Sequence, residues 1–124
     1  MARARHGLQR MFRACGYSFK GLNACWRHET AFREEVLLSA VLMPLSFWVG
    51  RNPLDYALLI GSLVLLMITE LFNSAVEALA DRIGTELHEL SGRAKDYGSA
   101  AVFLAFLQML LVWAAVAYLR FAAH

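Results

Sequence analysis

The chain has 124 residues, 59% of them hydrophobic and 18% charged, and its mean hydropathy of +0.47 is too apolar for a soluble domain of this size. A net charge of +2 gives no reason to expect a nucleic-acid partner. The two cysteines, Cys15 and Cys25, form no C-x-x-C pair and have no histidine at zinc spacing, which argues against a disulfide framework or a structural zinc site.

In chain order, the first element is a basic amphipathic helix over residues 8–27. Leu8, Met11, Phe12, Cys15, Phe19, Leu22 and Trp26 recur at spacings of three and four, while Arg10, Arg13, Lys20 and Arg27 fill a separate arc. Such a helix lies in the membrane interface with its bases toward anionic headgroups, or else docks on the protein's own core. Gly16 and Gly21 each weaken it by about 1 kcal/mol relative to Ala, which leaves a bend open. Residues 1–30 contain no apolar stretch of signal-peptide type, so no removable signal is expected.

Glu29 and Arg33 then stand at i,i+4, a pair that supports a helix. The first transmembrane segment is read as 31–49, with Glu34 and Glu35 near the interface and Pro44 inside it, where Ser46 is a candidate to cover the carbonyl that proline frees. Residues 50–55, G-R-N-P-L-D, form a tight turn. The second span is 56–80. Residues 81–96 are a charged connection expected to continue the helix and break near Ser91 and Gly92. The third span, 98–119, is apolar except for Ser99 and Gln108, and Gln108 is expected to bond between helices. Trp48, Tyr56, Trp113 and Tyr118 fall near span ends, where aromatic belts form.

The second span ends in E-L-F-N-S-A-V-E-A-L-A-D, residues 70–81. At ~100° per residue Glu70, Asn73, Glu77 and Asp81 share one narrow stripe, and at ~1.5 Å per residue Glu70 lies ~21 Å along the helix from Tyr56. In a hydrocarbon layer of ~30 Å that depth still lies inside the membrane. Acids there face a bundle interior or a wet cavity and mark function, although a structural polar knot around Asn73 is the alternative.

Ten of the twelve Lys and Arg residues lie before the first span or between the second and third, which makes that side cytoplasmic, with the N-terminus inside. Glu29, Glu34, Glu35, Glu77, Asp81, Glu86, Glu89 and Asp96 gather at the same boundary. No phosphate loop, Rossmann glycine pattern, serine elbow or zinc-protease motif is present. The remaining chemistry is a cluster of oxygen ligands for a hard divalent cation beside bases for phosphate, the parts of a phosphoryl-transfer site.

The runs G-Y-S-F-K-G-L (16–22), E-T-A-F-R-E-E (29–35), E-L-F-N-S-A-V-E-A-L-A-D-R-I-G (70–84) and H-E-L-S-G-R-A-K-D-Y-G-S-A-A (88–101) resemble the small bacterial integral-membrane diacylglycerol kinases, over nearly the whole chain. The resemblance implies one all-α membrane domain over residues 1–124. It comprises the interfacial helix and three transmembrane helices, assembled as a homotrimer in the bacterial inner membrane with its site at the cytoplasmic face. It implies transfer of the ATP γ-phosphate to diacylglycerol, giving phosphatidic acid, with Mg²⁺ as cofactor.

Residue by residue, the resemblance makes Glu70 the general base and Asn73 its neighbour in the catalytic motif. It gives the magnesium to Glu29 and Glu77, and the nucleotide to Arg10, Tyr17, Glu29, Glu77, Glu86, His88, Lys95 and Asp96. The lipid falls to Arg10, Glu35, Trp48, Glu70, Ser99 and Trp113. Phe19, where the family commonly has Trp, and Gly50-Arg51-Asn52, where it commonly has an acidic turn, depart from the pattern. A polyprenol kinase on the same site and, in a different class, a proton or cation transporter using Glu70 and Glu77 are the competing expectations. A relay would extend acids toward the outer face, and none lies in 56–69 or 98–119.

Overall fold

The computed structural model describes residues 2–84 and 88–123, and among them the chain forms four helices and no strand. These are α1 (Ala2–His28), α2 (Thr30–Val49), α3 (Pro53–Ile83) and α4 (Glu89–Phe121). Both α3 and α4 are long and apolar enough to cross a membrane. In α2 the charges Arg33, Glu34 and Glu35 crowd the N-terminal end and dilute its apolar stretch. The molecule is an all-α membrane protein.

α1 runs through Gly16 and Gly21 without a break. Of its side chains described, from His6 onward, only Cys25 is buried, while Met11, Phe12 and Phe19 are 66–73% exposed. The apolar stripe is therefore not covered by this chain. Cys25 is the exception because its thiol meets α3, with Sγ 3.7 Å from Ser74 Oγ. Burial pushes that thiol up from its ordinary value.

At the junction of α1 and α2 the expected Glu29–Arg33 pair is not formed. Glu29 is the N-cap of α2, in extended conformation, so the helical spacing that would align the two side chains is interrupted between them. The Arg33 guanidinium turns back to the end of α1 instead, donating to Trp26 O (2.7 Å), Arg27 O (3.1 Å) and Thr30 Oγ1 (3.1 Å). A cation over carbonyls left open at a helix C-terminus is the better use of that charge. It leaves Glu29 to the cleft between α1 and α3.

Pro44 does not interrupt α2. Ser46 Oγ donates to Met43 O (2.5 Å) rather than to Ala40 O, the carbonyl that loses its partner to the proline. The turn to α3 is set by reciprocal capping. Asn52 Oδ1 accepts from Asp55 N (2.9 Å), Pro53 fills the first helical position and Asp55 Oδ2 accepts from Arg51 N (3.0 Å). Gly50 belongs there because a Cβ would stand 2.7 Å from the Tyr56 ring.

The core lies between α3 and α4, where Leu63 and Leu66 pack on Ala105 and Met109, and Leu59 packs with Val49 and Val116. Gln108 bonds across this interface as expected, from Nε2 to Ser62 O (2.9 Å), and Trp113 Nε1 donates to Ser62 Oγ (3.1 Å). Bonds of this kind contribute only about 0.6 kcal/mol each between membrane helices, so they fix register more than they add stability. The break before α4 is not at Ser91 and Gly92, which lie inside the helix. α3 ends at Ile83, and α4 starts from His88, whose Nδ1 accepts from Leu90 N (3.1 Å).

Candidate functional site

The register of α3 brings its polar stripe against the other helices at one end of the bundle. Glu70 is buried at 4% exposure and Asn73 at 9%, Glu77 is half-buried and Asp81 is exposed. The burial gradient follows the stripe outward from the core. Asn73 Nδ2 donates to Glu77 Oε1 at 3.4 Å, one turn along the same face.

Three elements converge on this stripe. From α2, the Glu35 carboxyl comes close enough for the two carboxyls of Glu35 and Glu70 to act on each other. Glu35 Oε2 is buried there with no hydrogen-bond partner. From the α1–α2 junction, Glu29 comes near enough for its charge to act on Glu70, as does Glu77. From α4, Lys95 Nζ sits 2.7 Å from Asp81 Oδ1 and within the field of Glu77, and the Asp81 contact raises the Lys95 pKa above its ordinary value. An exposed pair of this kind contributes little to stability, so its consequence is where it places the ammonium.

Beside the acids, a cavity of about 430 Å³ opens between α1 and α3, lined by Gly21, Cys25, His28, Glu29 and Ser74 among others. Glu29 is thus a wall of a cleft large enough for a ligand. Among the described residues no three His, Cys, Asp or Glu side chains form a ready metal cage. Glu29 and Glu77 both lie close enough to act on Glu70, and a magnesium that arrives with a nucleotide keeps water and phosphate oxygens and needs only one or two protein carboxylates.

The remaining residues named from the sequence are distributed unevenly. Arg10, Tyr17, Asp96 and Ser99 are exposed, on α1 and at the start of α4. His88 caps α4 through Nδ1. Glu86 lies outside the described residues. Trp48 and Trp113 are not brought to the acids. Trp48 packs on Phe121 (centroids 5.1 Å apart) at the far end of the bundle, and Trp113 is half-buried on Ser62. Asp81 is placed on the stripe by spacing but its pairing with Lys95 is not foreseen, and Gly98, which meets Asn73 across the α3–α4 contact, is not singled out by the sequence at all. The role of Gly98 depends on how closely two helices approach.

Helices fit to cross a membrane, with carboxylates buried at one end of their bundle and Lys95 paired to Asp81 at the exposed end of the same stripe, define a polytopic membrane protein with a polar cluster at one end of the bundle. The chain belongs to the prokaryotic diacylglycerol kinase family, whose model matches residues 16–117. It is 47% identical over 112 residues to a diacylglycerol kinase of Haemophilus influenzae, covering 90% of this chain and 95% of that one. It is 45% identical over 121 residues to the diacylglycerol kinase of Escherichia coli K12, covering 98% and 99%. A Helicobacter pylori diacylglycerol kinase is 37% identical over 107 residues, covering 86% and 84%.

Proposed function

We propose that this protein is a lipid kinase that transfers the γ-phosphate of ATP to the free hydroxyl of diacylglycerol, giving phosphatidic acid and ADP. The observation that carries the reading is Glu70, a carboxylate 4% exposed on a membrane helix, with Glu29, Glu35 and Glu77 drawn around it from three directions. Membership of the family supplies the acceptor class.

In this mechanism the acceptor hydroxyl enters from the bilayer and stands against Glu70, which accepts its proton as the oxygen attacks the γ-phosphorus. The bond from that phosphorus to the β-γ bridging oxygen breaks, and ADP leaves. Phosphoryl transfer passes through a loose transition state, so the protein contributes position and charge rather than covalent chemistry. Glu29 and Glu77 would hold the magnesium, which neutralises phosphate charge when bound. Lys95 and Arg10 face the phosphates, with Tyr17, Glu86, His88 and Asp96 bordering the nucleotide. Asn73 holds Glu77 through its amide. Ser99 and Glu35 border the lipid headgroup, and Trp48 and Trp113 its chains farther along the bundle.

The protein would sit in the bacterial inner membrane with the site cytoplasmic, α2, α3 and α4 crossing as three spans and α1 along the interface. The exposed polar and apolar faces of so thin a bundle, including the uncovered stripe of α1, favour association with lipid and with further copies, a homotrimer by the family resemblance. The test is transfer of labelled γ-phosphate from Mg-ATP by purified protein in mixed micelles, with dioleoylglycerol and undecaprenol offered in parallel. Label in phosphatidic acid supports the reading. Label only in the polyprenol product would assign a different acceptor to the same site.

A further inference from the structure

At Gly98, α4 comes so close to α3 that a Cβ could not be added without colliding with one side chain. The three nearest atoms all belong to Asn73: Oδ1 first, then Cγ at 3.2 Å and Cβ at 3.7 Å. The helical glycines Gly7, Gly16, Gly21, Gly61 and Gly92 have nothing within 4 Å of the same position. Crowding is therefore a property of this site and not of glycine in these helices.

The amide that meets Gly98 is the one that meets Glu77. A carboxylate only accepts hydrogen bonds, so the Asn73 nitrogen faces Glu77 Oε1 and its oxygen turns toward α4. There Oδ1 is buried and has no hydrogen-bond partner. A Cβ replaces a hydrogen along the same bond direction, so the Gly98 Cα–H is aimed at that oxygen, a weak donor for an otherwise orphaned acceptor.

We propose that Gly98 is a positioning residue for phosphoryl transfer: its missing side chain seats the Asn73 amide, and the seated amide holds the Glu77 carboxylate in the orientation that receives magnesium nucleotide. The inference rests on the reading of Glu77 given above. Any side chain at position 98 displaces Oδ1, rotates the amide and releases Glu77. Glu70, one turn earlier on α3, is not touched by this displacement.

The test is a double-mutant cycle of Gly98→Ala and Asn73→Ala, read by Mg-ATP binding to the purified protein, which needs no turnover, together with the unfolding midpoint of each variant. Gly98→Ala is expected to weaken Mg-ATP binding by about tenfold, within the range for coupled neighbours, with the KM for diacylglycerol changed less than about twofold. In the Asn73→Ala background, Gly98→Ala should weaken it no further, because the obstructing side chain is gone. If Gly98→Ala does not fold, the double variant should, for the same reason.

Multiplying losses in the double variant, an unfolded double variant, or equal damage to lipid KM and nucleotide binding would each overturn the proposal. Wild-type protein that labels no lipid would overturn the kinase reading and this inference with it. A working kinase with an additive cycle would overturn this inference alone.

Discussion

Glu70 and Glu77 stand on one stripe of α3, yet their surroundings give them different work. Glu70 is buried beside Glu35. Glu77 is half-buried, tied to Asn73 and close to the Lys95 ammonium. Glu77→Gln is therefore expected to weaken Mg-ATP binding itself, whereas Glu70→Gln should leave it within about twofold, as removing a group acting only in the transition state does. Calorimetric binding to the two variants checks this, and equal, mild effects would refute the division of roles.

Asp81 is paired with Lys95. The contact raises the lysine pKa, so the ammonium is fully present below its ordinary value of about 10.5 and is lost only as pH rises through the higher folded value. Asp81→Asn removes the cause of the increase. The alkaline limit of Mg-ATP binding should then move to lower pH, with binding near neutrality still dependent on Lys95. A binding titration from neutral pH to about pH 11 measures the shift, and an unmoved limit would show that Lys95 is not the titrating group.

At the scale of elements, the hydrophobic runs place α2, α3 and α4 in the right order, because apolar length is a local property of the chain. Boundaries depend on single capping contacts and were less readable. Gly92 looks like a stop, but Gly84 follows the end of α3 and the ring of His88 caps α4, moving the break upstream. Arg33 looks like a partner for Glu29, but the helix is interrupted at Glu29 and the guanidinium turns to α1. The α2–α3 turn was readable because Asn, Pro and Asp each have one conformational use there. Asn52→Ala should cost about 1 kcal/mol through loss of the Asp55 cap, seen as an earlier denaturant midpoint with unchanged specific activity in the protein that remains folded. A drop in specific activity would mean that the turn does more than join two helices.

For the molecule as a whole, the acid stripe could be placed on one face from spacing alone. What gathers around it could not. Glu35, Glu29 and Lys95 arrive from α2, the α1–α2 junction and α4, through packing that no local pattern encodes. The cluster is thus a property of the bundle.

The decisive measurement is label transfer from γ-labelled Mg-ATP to dioleoylglycerol by Glu70→Gln beside the wild-type protein, both in mixed micelles and both checked for Mg-ATP binding. The wild type should give labelled phosphatidic acid and the variant none above background, although the variant binds nucleotide normally. Comparable label from both would contradict the role given to Glu70, since the proton of the acceptor would then have another destination.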